Sequence, residues 1–192
     1  MYAAEILLAI EDLHDREIVF GDLTNYNILL DEEGHVVVSG LGLSHLGLLE
    51  YKERKLTDEF SVQYVPEVIK GQSLSKITDW YCFGVIIHEM LTGKLPFWNR
   101  SKEQIIKNVS VAVLKLPTNL SKKAKSLLYM LLNRNPTKRL GANEGVEEIK
   151  RHPWFETIDW ELIKERKLPI PPVEYKRVIK ENQTWSSIGI LK

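Results

Sequence analysis

A short polar stretch between two apolar runs carries the side chains best suited to chemistry in this sequence. It is Gly21–Asn27, GDLTNYN, and Asp22 stands near its start, just after the apolar run IVF. A carboxylate in such a loop is a candidate to accept a proton from a bound reactant. Each residue also has an ordinary explanation, because Asp22 beside Gly21 suits a turn and Asn27 suits an Asx turn. On residue types alone, the turn explanation of Asp22 is favoured.

Short apolar runs on either side are the elements that would position this stretch. Ile18–Phe20 and Ile28–Leu30 are both β-prone, and the turn-like residues 31–34 separate the second run from a third, Val36–Val38. The second and third runs therefore predict a hairpin. We expect all three runs to form a small β layer over residues 18–38.

Helical periodicity predicts that most of the remaining chain is α-helical. Residues 1–16 place apolar side chains at helical spacing, whereas Asp79–Leu91 is apolar almost throughout, which is typical of a helix in the middle of a domain. Two more helices are expected to begin after the N-cap residues Ser101 and Ser121. A short helix is expected over residues 145–150.

Charge, cysteine content and hydropathy exclude several classes of protein. The 192 residues carry 26 Lys plus Arg against 26 Asp plus Glu, so no overall basic field exists to hold nucleic acid, although a local patch stays possible. The single cysteine, Cys82, excludes a disulfide framework and a cysteine-rich zinc site. No apolar run approaches the roughly 18 residues of a membrane span, and the acidic N-terminal segment does not suit a signal peptide. We therefore expect no nucleic-acid partner, no membrane span and a cytoplasmic location.

Seven motifs follow one another in an order and spacing that a known family shares. They are YAAEILLAIEDLH, VFGDLTNYNILLD, GHVVVSGLGLS, YVPEVI, DWYCFGVIIHEMLTGKLPF, NPTKRLG and HPWF. In this order they resemble the C-terminal lobe (C-lobe) of a eukaryotic protein kinase of the AGC group, in the style of the ribosomal protein kinase branch. The resemblance covers roughly residues 2–172. It implies a mostly α-helical C-lobe bundle with a small β-hairpin layer.

The resemblance assigns roles in phosphoryl transfer to individual residues. Asp22 takes the place of the catalytic base, and Asn27 takes the place of a magnesium ligand. Leu29 matches an apolar position beneath the adenine, and Leu41 fills the apolar slot of the family's DFG phenylalanine. Thr57 lies near the expected phosphorylation site of the activation loop, but the interpretation of it as an ordinary loop threonine is favoured.

Other matching positions concern the frame of the lobe and substrate binding. Glu67 and Arg139 match a buried ion pair between the activation segment and the last helices. Asp79 matches a helix carboxylate that accepts backbone N–H groups from the catalytic loop. Glu89 matches a carboxylate that binds a substrate arginine, but Tyr26 replaces the glutamate that shares this task.

Several catalytic positions depart from the family pattern. Thr24 replaces the lysine that neutralises the γ-phosphate, Gly40 replaces the aspartate that binds magnesium, and Gly21 replaces the arginine before the base. The glycine-rich loop and the strand lysine of the N-terminal lobe (N-lobe) would lie before Met1, so we expect this lobe to be absent.

These departures predict a pseudokinase or truncated kinase that acts as a binding or regulatory module and needs no cofactor. The alternative is an active ATP-dependent Ser/Thr kinase that uses Mg-ATP and of which this chain is a fragment. A third hypothesis is a regulatory fragment that occupies substrates or partners of an intact relative.

The resemblance also implies a division of the chain and a kind of partner. Residues 1–157 match the C-lobe, and residues 158–192 match the start of an AGC-type C-terminal tail. Without an N-lobe, Leu29, Leu41 and part of the first helix are expected to form an exposed apolar patch. The expected partner is a protein that covers this face or a kinase-like substrate.

Overall fold

The fold is mostly α-helical, as the sequence predicts. The computed structural model describes residues 1–21, 23–40 and 64–170. Within these ranges the elements, in chain order, are α1 (Tyr2–Asp15), β1 (Ile28–Leu30), β2 (Val36–Val38), α2 (Pro66–Ile69), α3 (Lys76–Thr92), α4 (Lys102–Val111), α5 (Lys122–Leu131), α6 (Val146–Lys150) and α7 (Trp160–Lys164). None of these helices is long and apolar enough to cross a membrane.

The central helix α3 is buried along most of its length, which explains its continuous apolar sequence. Its residues from Thr78 to Glu89 are all buried, and α5 packs directly against it. The two helices approach closely at Gly84, where an added Cβ would lie 2.8 Å from the Cβ of Leu131. The helix ends at Gly93, whose φ of 69° is the left-handed conformation that favours glycine.

The N-cap predictions for α4 and α5 are confirmed. The Ser101 hydroxyl accepts a hydrogen bond from the N–H of Gln104, and the Ser121 hydroxyl accepts one from the N–H of Ala124. Each serine therefore satisfies an amide that the first turn of its helix leaves without a partner.

The predicted hairpin is present and antiparallel, with Leu29 opposite Val37. Its turn is held by Asp31, whose Oδ1 accepts the N–H of Glu33 at 3.0 Å and the N–H of His35 at 2.9 Å. On the other side of β2, Glu5 of α1 accepts the N–H of Val36 at 2.7 Å. Glu5 thus connects the hairpin to the first helix.

The prediction of a strand at Ile18–Phe20 is wrong. These residues form no strand in the part of the chain that the structure describes. The N–H of Ile18 bonds to the carbonyl of Leu13, and the N–H of Phe20 bonds to the side chain of Asp79. The segment therefore has partners in α1 and α3, and the β layer consists of β1 and β2.

Of the expected apolar patch, the described residues show only the part on the hairpin. Leu29 is 50% exposed and Val37 is 39% exposed, and their side chains share one face because they are cross-strand partners. The first helix does not contribute as expected, because its apolar side chains are buried or half-buried. It packs against β2, α3 and α7, which cover it. Leu41 lies outside the described residues.

Residues 158–170 are attached to the helical body. Ile163 of α7 is 3% exposed, and α7 packs against α1. The guanidinium of Arg166 also contacts Asp31 at 2.8 Å. The division at residue 157 stays a prediction.

Candidate functional site

The chain just before the predicted base is anchored by Asp79. The Oδ2 of this fully buried carboxylate accepts the N–H of Phe20 at 2.9 Å, and its Oδ1 accepts the N–H of Gly21 at 2.9 Å. The Nε2 of His14 lies 2.8 Å from Oδ2. One side chain of α3 thus holds the backbone that leads into the catalytic-loop position. Asp22 itself lies outside the described residues.

The loop then makes a short 3₁₀ turn over Asn25–Asn27, which brings Asn27 beside the end of β2. The N–H of Asn27 donates to the carbonyl of Thr24 at 3.1 Å, and the carbonyl of Asn27 accepts the N–H of Ser39 at 2.7 Å. Thr24 and Asn27 are both half-buried. These bonds place the two predicted magnesium positions, Asn27 and Gly40, next to each other.

Gly40 has a conformation and surroundings that disfavour any side chain. Its φ is 87°, and an added Cβ would lie 2.7 Å from Oδ1 of Asn27. The side-chain amide of Asn27 therefore lies beside position 40, and position 40 itself carries no carboxylate. Within the described ranges, no three His, Cys, Asp or Glu side chains are grouped so that they could hold a metal. Of the described residues at this position, Asn27 offers an amide oxygen to a cation and Gly40 offers no side chain.

We predict that Gly40→Ala destabilises the chain more than Gly71→Ala does. Both glycines have positive φ, but no atom lies within 4 Å of the Cβ position at Gly71. The left-handed backbone should lower the free energy of unfolding by about 1–2 kcal/mol in each variant. Contact with Asn27 should lower it further at Gly40. Urea unfolding of both variants measures the difference, and equal losses would contradict the crowding by Asn27.

The remaining nucleotide-site positions are only partly described. Leu29 is half exposed, whereas Ile86 of α3 is 4% exposed and Met90 is half-buried. Leu41 and the phosphosite candidate Thr57 lie outside the described residues, so both assignments stay predictions.

A buried carboxylate on α3 faces the catalytic loop. Glu89 is 9% exposed, and its Oε1 accepts a hydrogen bond of 3.3 Å from the side-chain amide of Asn25. No cation of the described residues pairs with it. Burial raises the pKa of Glu89 above its ordinary value, and the hydrogen bond from Asn25 opposes this shift.

The pKa of Glu89 leads to a prediction about pH. Because the folded-state pKa is raised, the native state binds this proton more tightly than the unfolded state, and stability falls as pH rises through the raised pKa. Glu89→Gln removes this penalty. Its melting temperature relative to the wild type should therefore be higher at pH 7 than at pH 4. Glu32→Gln, at an exposed glutamate, is the control. An equal change of melting temperature between pH 4 and pH 7 in both variants would contradict the prediction.

Glu67 and Arg139 form the predicted ion pair, which has two hydrogen bonds. Nη1 and Nη2 of Arg139 donate to Oε1 and Oε2 of Glu67 at 2.6 and 2.7 Å. The guanidinium also donates to the carbonyls of Ile77 and Asn133 and lies 4.9 Å from the ring centroid of Tyr81. Both charged side chains are almost fully buried. The pair therefore joins α2, α3 and the loop after α5.

Two contacts of the site could not be found by sequence reasoning. The bond between Asn25 and Glu89 joins residues 64 positions apart, and the contact of Glu5 with His35 Nδ1, at 2.7 Å, joins residues 30 apart. Neither follows a local period or a motif spacing. The resemblance gave a role to Glu89 but not to its neighbour.

Comparison with known families identifies the class of protein. The family model of the protein kinase domain matches residues 1–155. The chain therefore belongs to the protein kinase domain family, in agreement with its helical body, its hairpin and the Glu67–Arg139 pair.

The similar proteins narrow the class further. Human ribosomal protein S6 kinase alpha-2 is 43% identical over 175 residues, which are 89% of this chain and 24% of that protein. Mouse ribosomal protein S6 kinase alpha-3 is 42% identical over 172 residues, 88% of this chain and 23% of that protein. Xenopus laevis ribosomal protein S6 kinase 2 alpha gives the same identity and coverage. The chain thus spans about a quarter of the length of these relatives, and it is similar to AGC-type Ser/Thr kinases.

Proposed function

We propose that this chain is a catalytically impaired kinase-like module that acts by binding a protein. The observation that carries the proposal is the arrangement of Gly40 and Asn27. Position 40 has no carboxylate, and the Asn27 side chain lies against the place where one would begin. Recovery of a magnesium ligand there would need both a new side chain and movement of Asn27.

The charges of the loop support the same proposal. Phosphoryl transfer depends on cations placed near the transferred group, because charge develops there in the transition state. Thr24 supplies no positive charge at the position of the family's lysine. We therefore propose that the chain binds Mg-ATP weakly or not at all.

The frame around the site is intact, which supports a binding role. Asp79 still holds the backbone before the loop, and Arg139 still joins Glu67. Glu89 offers a buried carboxylate to a cationic group. A basic side chain of a bound peptide is the ligand that this carboxylate would favour.

The decisive test measures the effect of Thr24 and Gly40 on Mg-ATP binding when an N-lobe is present. The chain is fused behind the N-lobe of human ribosomal protein S6 kinase alpha-2, and thermal unfolding is followed with ATP, with and without magnesium. We expect no magnesium-dependent stabilisation. A matched fusion that carries Thr24→Lys and Gly40→Asp shows whether the assembled cleft can respond. A magnesium-dependent rise of several degrees in the unmodified fusion would contradict the proposal.

The second candidate function is an active ATP-dependent Ser/Thr kinase. Asn27 favours it, because this ligand position is retained and lies next to position 40. The fusion experiment distinguishes the two candidates, since an active kinase must bind Mg-ATP without the substitutions.

A further inference from the structure

One part of the neutral chain is strongly basic. Residues 104–143 contain eight Lys and Arg and no Asp or Glu. Two of these cations pair with carboxylates, Arg139 with Glu67 and Lys123 with Glu156, and two donate to backbone carbonyls, Arg134 and Lys125. Among the described residues, Arg134 and five lysines have no carboxylate partner; the lysines are Lys107, Lys115, Lys122, Lys125 and Lys138. This region therefore carries unbalanced positive charge.

An extended segment lies in the middle of this region. Residues 112–116, AVLKL, join α4, which ends at Val111, to the turn before α5. From Val111 onward, exposed and half-buried residues alternate. Val111 is 69% exposed and Val113 is 77% exposed, and Lys115 is exposed as well. The residues between them are half-buried. This period of two is that of a β-strand.

Among the described residues, one backbone edge of the segment has no partner. Ala112 uses its N–H on the carbonyl of Asn108 and its carbonyl on Arg134. In an extended chain, the N–H and C=O groups of one residue point to one edge and those of the next residue point to the other. The N–H and C=O groups of Val113 and Lys115 therefore point away from Arg134. Neither residue makes a backbone hydrogen bond to the described part of the chain. An open edge of this kind can pair with another extended chain.

A lysine of α5 contacts the turn that follows the segment. The ammonium of Lys125 donates to the carbonyl of Thr118 at 2.9 Å, in the turn that follows the segment. Lys122 and Tyr129 share a helix face with Lys125, because the three residues are spaced by three and four. Tyr129 is 52% exposed. In the part of the chain that the structure describes, the surface thus combines an unpaired backbone edge, exposed apolar side chains and lysines that have no carboxylate partner.

We propose that this surface, Val111–Leu116 with Lys122 and Lys125, is a docking site for an extended, acidic segment of a partner protein. The segment would add as a strand to the open edge of Val113 and Lys115, with carboxylates near the lysines and apolar side chains beside Val113. A second copy of this chain fits poorly, because two basic surfaces would face each other. The surface includes no residue of the kinase-like site, so the proposal is independent of phosphate transfer.

The test uses the full chain and a fluorescent eight-residue peptide of alternating Val and Glu. Binding is measured by fluorescence anisotropy at low salt. A peptide of alternating Val and Lys tests the charge. Two N-methylated Val–Glu peptides, methylated on one backbone edge or on the other, test the strand pairing, because methylation removes the N–H groups of a single edge.

Two pairs of variants test the surface itself. Val113→Pro removes one N–H of the open edge, and Val113→Thr keeps it. Lys115→Glu reverses a charge on the surface, and Lys164→Glu makes the same change on α7. We expect Val113→Pro and Lys115→Glu each to weaken binding about tenfold or more, whereas both controls stay within about twofold. Circular dichroism confirms that each variant is folded.

Several outcomes would overturn the proposal. They are no binding at about 1 mM peptide, equal binding of both N-methylated peptides and the parent, and equal effects of Lys115→Glu and Lys164→Glu. Stronger binding of a single-stranded oligonucleotide or of anionic phospholipid vesicles, unaffected by Val113→Pro, would assign the surface to those ligands instead. Peptide-independent dimers that Val113→Pro abolishes would assign it to a second copy.

Discussion

Phosphate transfer from Mg-ATP by this chain is expected at roughly 10⁻² per second at best. Kinases turn over at about 1–100 per second, and removal of one group that stabilises developing charge lowers the rate by about 10²–10³. Thr24 and Gly40 replace two such groups. If the two losses are independent, they multiply to roughly 10⁴–10⁶. A radiolabel assay on a basic peptide measures the rate.

The control for this rate uses the predicted base. Asp22→Asn should leave the residual rate almost unchanged, because a base has little to act on when the phosphate is not positioned. The same assay on the fusion with the relative's N-lobe measures the rate when an N-lobe is present. A fusion that turns over at about 1 per second or more, and that Asp22→Asn inactivates, would support the active-kinase alternative.

Loss of the Arg139 side chain is expected to lower the free energy of unfolding by roughly 3–5 kcal/mol. Arg139→Ala leaves the Glu67 carboxylate buried without its cation, and it also removes donors to the carbonyls of Ile77 and Asn133. Water cannot replace the lost hydrogen bonds to Glu67, because both side chains are almost fully buried. Urea unfolding measures the change.

A surface ion pair provides the matched control. Arg151 and Glu144 contact each other at 2.6 Å, but their side chains are 59% and 58% exposed. Arg151→Ala should therefore change stability far less than Arg139→Ala does, because solvent screens an exposed pair. The double variant Glu67→Ala/Arg139→Ala should lose less than the sum of its single variants, because it leaves no lone buried charge. Equal effects of Arg139→Ala and Arg151→Ala would contradict the argument.

The sequence determined the elements whose causes are local. The serine caps of α4 and α5 were predictable because each hydroxyl bonds to an amide three residues ahead. The hairpin was predictable because two β-prone runs flank a short turn. The α3 helix was predictable from its apolar length. Local interactions of this kind leave a pattern that a reader of the sequence can recognise.

The candidate site was predictable to a smaller extent. The order of motifs indicated the pairing of Glu67 with Arg139 and the contact of Asp79 with the catalytic loop, although these residues are far apart in the chain. It did not indicate that Asn27 lies against position 40, because that contact depends on the backbone conformation of a glycine. The roles of Asp22, Leu41 and Thr57 stay predictions from the sequence.

Only the tertiary structure decided which of two similar apolar runs became a strand. Ile18–Phe20 and Ile28–Leu30 have the same β-prone character, but among the described residues only the second run pairs with a neighbouring strand. The amide of Phe20 is instead bound by Asp79, which lies 59 residues further along the chain. A buried backbone N–H needs a hydrogen-bond acceptor, and for Phe20 the acceptor is distant in sequence, so no local pattern indicates it.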